Sequence, residues 1–176
     1  MIHTIGCLKM SNIIEGSLNP MLRQEMEQFD FSNPPTDPVQ LTLDMIKAMD
    51  EGKGVGLSAN QMQLPYRVFV MAGDPSFACF NPRITTTGDE LVVMEEGCLS
   101  YPGMICKVKR PQSIRVRFQD PYGNAIVKKF TGMSARIFQH ELDHLNGVVF
   151  YEQANRYHKE MAIKKYKKLQ KRLAAA

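Results

Sequence analysis

The chain has 176 residues, 44% of them hydrophobic, with a net charge of +4 and a mean hydropathy of −0.27. One domain over residues 1–176 is expected, and a chain of this length buries roughly 70% of its unfolded surface without help from disulfides. No run approaches the roughly 20 apolar residues of a membrane span, and the four cysteines (Cys7, Cys79, Cys98, Cys106) form no framework.

The start, Met1 to Lys9, has neither a basic-then-apolar signal pattern nor an Arg-rich transit pattern. A soluble, cytoplasmic protein with free or metal-bound thiols is therefore expected. Asn19-Pro20 predicts a turn, Met21–Phe29 a short helix, and Asn33-Pro34-Pro35 a break. Asp37-Pro38-Val39-Gln40 reads as a helix start, with Asp at the N-cap, Pro at N1 and Gln at N3. Leu41, Met45 and Met49, with Thr42 and Ile46 alongside, give its apolar stripe, and Gly52 and Gly54 end it.

Gly54-Val55-Gly56-Leu57-Ser58-Ala59-Asn60-Gln61 follows. Its glycines allow a close approach by a neighbour or a ligand, or simply a turn into a strand. A phosphate loop is excluded, because the later Gly-Lys-Ser/Thr is missing. Tyr66–Ala72 reads as a strand, Ile84-Thr85-Thr86-Thr87 is β-rich, and the apolar Leu91–Met94 leads into a strand that ends at Cys98, with turns at Gly73-Asp74-Pro75 and Gly88-Asp89. Pro102-Gly103 predicts another turn and Ile105–Val108 a short strand. In Ser113–Gln119, Ile114, Val116 and Phe118 alternate with Arg115 and Arg117, the pattern of a half-buried antiparallel strand. Asp120–Asn124 connects it to a returning strand, Ala125–Thr131.

Gln139-His140-Glu141-Leu142-Asp143-His144-Leu145-Asn146-Gly147 carries the chemistry. Helical periodicity, a Thr131 or Ser134 cap and Gly147 at C′ predict a helix. A spacing of four puts His140 and His144 on one face, where both imidazoles reach one metal ion with Glu141 beside it. An amphipathic helix with two polar histidines has the same pattern. A catalytic site of this kind takes a third protein ligand and keeps a position for water. Downstream, the place of a third histidine is held by Phe150, and a later glutamate position by Lys164. The search therefore turns upstream, to Cys98 within Glu95-Glu96-Gly97-Cys98-Leu99-Ser100. A thiolate suits zinc or ferrous iron, although a lone cysteine also serves as a small buried apolar residue, the reading given to Cys7, Cys79 and Cys106.

Val148–Tyr151 reads as a short strand. From about 156 a basic helical tail is expected, with Ala162, Tyr166, Leu169 and Leu173 on one face. Residues 156–176 hold eight Lys/Arg against Glu160, a net +7, so residues 1–155 carry −3. Such a tail is either a solvated helix docked by its apolar stripe or a contact for a polyanion.

Three segments, Gly54–Gln61, Glu96–Ser100 and Gln139–Gly147, resemble in order and spacing the three motifs of peptide deformylases. With Phe80-Asn81-Pro82 and the Ser113–Thr131 hairpin, the resemblance covers about residues 38–151. It implies an α+β fold, antiparallel sheets around a central helix carrying His-Glu-x-x-His, plus a C-terminal helix. It implies removal of the formyl group from the N-terminal formyl-methionine of nascent polypeptides, in the cytoplasm. A related metallo-amidase or peptidase, or a non-catalytic metal- or ribosome-binding module, is the alternative.

The resemblance assigns Cys98, His140 and His144 to a divalent metal, Fe²⁺ first, with Zn²⁺, Ni²⁺ or Co²⁺ able to replace it. Glu141 becomes the proton carrier, and the Gln61 amide with the Leu99 backbone N–H becomes the oxyanion site. Gly56 and Gly97 wall the substrate backbone, and Val55, Met94, Met133 and Ile137 form the methionine pocket. Glu96 and Arg110 match a pair that braces the Cys loop, and Arg136 is expected at the pocket edge. The implied partners are formyl-methionyl nascent peptides and, through the basic helix, the ribosome, with no membrane. The motif usually has Ala at the position of Ser58, and a basic residue often stands where Ile105 is. Residues 1–35 match weakly.

Overall fold

The structure is a computed structural model and describes residues 13–16 and 18–175. Cys7 and the Met1–Lys9 start lie outside the described residues. The architecture is α+β, as the resemblance implied.

Helix α1 (Pro38–Glu51) begins where the sequence placed it. The Asp37 carboxylate accepts from the Val39 and Gln40 N–H groups at 2.8 and 3.1 Å, which relieves two unpaired amides of the first turn. Gln40 does not close a reciprocal box; its amide bonds Asp44 one turn on, at 3.0 Å. Leu41, Met45 and Met49 are buried against strands β1 (Gly56–Ser58), β2 (Val68–Met71) and β3 (Phe77–Thr87).

Strands β4 (Leu91–Cys98) and β5 (Tyr101–Pro111) form their own antiparallel pair. β6 (Ser113–Gln119) and β7 (Ala125–Thr131) join the first three in a five-stranded antiparallel sheet, order β1-β2-β3-β6-β7. The β6–β7 register, Ser113 opposite Thr131 to Gln119 opposite Ala125, buries Ile114, Val116 and Phe118 and leaves Arg115 and Arg117 outside. Helix α2 (Gly132–Leu145) packs Phe138, Leu142 and Leu145 onto this sheet. Its N-cap is Thr131, but the side chain makes no capping bond; the Gly132 N–H instead donates to Gln112 O at 2.9 Å. Gly147 ends it with φ +72°, a conformation that favours glycine. Helix α3 (Arg156–Leu173) lies on β5 through Ala162, Ile163 and Tyr166, its lysines outward. Leu173, expected on the docked face, is 63% exposed.

Three local expectations are corrected. Met21–Phe29 is not a helix: only Pro20–Arg23 makes a 3-10 turn, capped by Asn19. The rest runs extended because Leu22, Met26 and Phe29 each anchor in a different hydrophobic cluster. Asn81, at a bulge with φ +49°, pins Phe29 by accepting from its N–H and donating to its carbonyl. Pro102-Gly103 is not a turn. β5 runs through it, because Tyr101, Met104, Cys106 and Val108 all face the third cluster. Finally, Val148–Tyr151 is no strand; Phe150–Glu152 is a 3-10 turn that inserts Phe150 beneath α2.

Candidate active site

The three motifs converge. β1 delivers Gly56 and Ser58, a 3-10 turn (Ala59–Met62) delivers Gln61, the end of β4 delivers Cys98, and α2 delivers His140, Glu141 and His144. Asn60 ties two of these pieces together, its amide donating to His144 O at 2.6 Å. The N-terminal segment straps two others: Ile14 N–H donates to Gln61 O at 3.0 Å and Gly16 N–H to Ser100 O at 2.6 Å.

One donor atom from each of Cys98, His140 and His144 lies within 4.8 Å of the other two. Cys98 Sγ is 3.2 Å from His144 Nε2. His140 is held from behind, its Nδ1 3.0 Å from Glu96 Oε2, which leaves Nε2 for a ligand. Burial, then the nearby His140 and Arg110 charges, push the His144 pKa well below its usual value. The imidazole is therefore neutral, the form that ligates. Burial opposes charge on His140, but Cys98 and Glu96 outweigh it and lift its pKa to about 10. Two imidazoles and one sulfur fit a divalent zinc or iron ion.

Beneath the donors lies a buried charge network. Glu96 Oε1 accepts from Arg110 Nε at 2.6 Å and Arg136 Nη1 at 2.9 Å, and Oε2 from Arg110 Nη2 at 2.9 Å. Burial would raise the Glu96 pKa, but His140 and Arg110 overcome this and hold it at about 2. Arg110 also pairs with Asp143 at 2.7 Å, so β4, β5 and α2 are locked at one point. Phe150 packs on the His140 ring, centroids 5.4 Å apart.

Glu141 is buried beside the donors, and burial raises its pKa. Ser58 Oγ donates to its Oε2 at 2.6 Å. A Cβ on Gly56 would run into the same carboxylate. The Gln61 amide is oriented at both ends: Oε1 accepts from Ser58 N–H at 2.9 Å, and Nε2 donates to Ser100 Oγ at 3.1 Å while lying 3.4 Å from Cys98 Sγ.

These groups open into a cavity of about 620 Å³. Val55, Gly56, Gly97, Leu99, Met133 and Ile137 line it. Val55 and Met133 are more than half exposed, so they are cavity wall and not core. Met94 is not among the lining residues; it pairs across β4–β5 with Val108, and Met104 of β5 lines the cavity instead. Arg136 reaches the cavity but is no loose edge group, since it is tied to Glu96 and to the Val108 and Val92 carbonyls. Sequence reasoning missed Ser100, Asp143 and Met104, and undervalued Ser58. The period of two along β1 was the available signal, since it puts Ser58 on the face of Gly56.

Comparison with known proteins agrees with this geometry. The family model described as Polypeptide deformylase matches residues 11–160. The chain is 38% identical over 146 residues to a peptide deformylase of Rhodopseudomonas palustris, covering 78% of this chain and 83% of that protein. It is 34% identical over 160 residues to one of Aquifex aeolicus, covering 87% and 93%. The solved peptide deformylase of Thermus thermophilus superposes with a TM-score of 0.81 at 35% identity, covering 88% of this chain and 92% of that one. A plant peptide deformylase gives 0.85 at 31%, covering 98% and 94%. The chain belongs to the polypeptide deformylase family.

Proposed function

We propose that the chain hydrolyses the formyl amide at the N-terminal formyl-methionine of nascent polypeptides, releasing formate, with Cys98, His140 and His144 holding one divalent metal. The observation that carries the reading is the closeness of those three donors to a buried glutamate inside an apolar-lined cavity. Ferrous iron is the first choice by resemblance to the family; the donor set itself suits zinc equally, and nickel or cobalt would be accepted by the same atoms. The ion, when bound, supplies Lewis acidity, acidifying a water and polarising the formyl oxygen.

Glu141 takes the proton of the attacking water and returns it to the amine as the C–N bond breaks. Gln61 Nε2, already pinned by Ser58 and Ser100, donates to the developing oxyanion, together with the Leu99 N–H. One such donor is worth roughly 10²–10³ in rate. Gly56 and Gly97 leave room for substrate backbone, and Val55, Met133 and Ile137 receive the methionine side chain. Glu96, with Arg110, fixes His140 from behind. The chain acts as one catalytic domain in the cytoplasm; among the described residues no helix is long and apolar enough to cross a membrane.

Anaerobically prepared protein is expected to release formate from formyl-Met peptides and to leave acetyl-Met peptides intact. Equal turnover of both would favour a broader amidase. Cys98→Ala is expected to lose its metal by elemental analysis; unchanged metal content would remove Cys98 from the ligand set. The basic face of α3 would bring the enzyme to ribosomal RNA, with binding that weakens as salt rises. Co-sedimentation with ribosomes that survives deletion of residues 156–176 would sink that part.

A further inference from the structure

We propose that the Ser58 hydroxyl is a positioning group for Glu141, holding one carboxylate oxygen so that the other faces the reacting atoms. This deepens the function proposed above and rests on Glu141 being its proton carrier.

Ser58 is fully buried, and its Oγ lies 2.6 Å from Glu141 Oε2 and 3.2 Å from the Glu141 carbonyl oxygen. The shorter bond has the length of a charge-assisted O–H···O⁻ contact. Glu141 Oε1 is the atom that a Cβ on Gly56 would meet first. Gly56 and Ser58 are two apart on β1, so they share the face turned to α2. One gives way to the carboxylate and the other grips it. A glutamate side chain has a loose last torsion, and neither Oε1 nor Oε2 would be preferred without that grip.

The grip persists through the reaction. When Oε1 takes a proton, Oε2 remains an acceptor, so Ser58 keeps its bond in both states. The hydroxyl thus selects which oxygen moves the proton without being consumed or titrated. The same β1 turn carries Gln61, whose Oε1 accepts the Ser58 N–H at 2.9 Å. Ser58 therefore sets its proton carrier with its side chain and its oxyanion donor with its backbone. This fixes the two groups relative to each other.

The test compares Ser58→Ala, Ser58→Thr and Glu141→Gln on formyl-Met peptides, with metal content measured for each. Ser58→Ala is expected to lower kcat about fivefold, the cost of a lost orienting bond partly replaced by water, with KM within twofold and metal retained. Ser58→Thr, which keeps the hydroxyl, is expected to recover most of kcat. A wild-type kcat in Ser58→Ala beside a dead Glu141→Gln overturns only the Ser58 role. A fall in kcat matched by loss of metal overturns it too, in favour of a structural role. Turnover retained in Glu141→Gln overturns the reading of Glu141 itself.

Discussion

Replacing Glu96 with Gln keeps the shape of the side chain and removes its charge. Two arginines then remain buried with their shared partner neutral, both about 6% exposed at the side chain. Breaking a buried pair of this kind costs roughly 3–5 kcal/mol. The lowered pKa of Glu96 leads to a figure of the same order. Its pKa falls from 4.5 in the open chain to about 2 in the fold, which converts to ~3 kcal/mol of stability at neutral pH. For a chain of this size that is roughly 6–12 °C in Tm. The sign follows from the lowered pKa: the stabilisation is complete above 4.5 and is lost as pH falls towards 2. The Glu96 part of the Glu96→Gln deficit is therefore full above about pH 5 and shrinks below 4.5, while the part that runs through the raised His140 pKa shrinks as pH rises above 6.5. Urea unfolding of both proteins across that range is the assay, run alongside metal titration. Loss of the partner behind His140 is expected to weaken metal binding about 10–100-fold. A variant within about 1 kcal/mol of wild type at pH 7, or a deficit that grows as pH falls below 4.5, would refute the reasoning.

Two glycines give sharper, local tests. Gly56→Ala brings a Cβ onto the Glu141 carboxylate, so kcat is expected to fall at least ~10-fold with metal content unchanged; normal turnover would mean that the carboxylate does not need that place. Gly147→Ala meets both a φ of +72° and the Arg23 and Gln24 backbone at 2.9–3.0 Å. It is expected to destabilise the fold by ~2 kcal/mol in urea unfolding, and a neutral result would show that the 23–24 segment yields.

Much of this was readable from the residues. α1 was announced by Asp37-Pro38 and its stripe, and β6–β7 by strict alternation, because these features act within a few residues of themselves. The His140–His144 spacing had the same local character. Errors arose where distant packing decides. Met21–Phe29 has helical spacing, yet its apolar residues are drawn into three separate clusters. Pro102-Gly103 has turn composition, and the strand does bulge there, between the Cys98–Tyr101 and Glu96–Cys106 pairs with Gly103 at φ +79°, but packing against β4 and α3 keeps it within β5. Cys98 was reached only because the downstream ligand positions were filled by Phe150 and Lys164. Nothing local in the sequence announced that Ser100 would grip Gln61, or that Asp143 would complete the Arg110 knot. Those contacts join segments 39 and 33 residues apart.

The strap from residues 14–16 to Gln61 and Ser100 bears on the order of events during folding. Cys98 meets His144 across 46 residues and Gln61 across 37, and the N-terminal segment bonds to Gln61 and Ser100. Loop closures of that span come late, because chain entropy opposes them until the sheet exists. If the proposed donor set takes up an ion only once it is complete, ion capture would time that stage of folding. Stopped-flow uptake of Co²⁺, followed by its thiolate absorption, would read the time at which the molecule becomes an enzyme, separately from the earlier burial of the sheet.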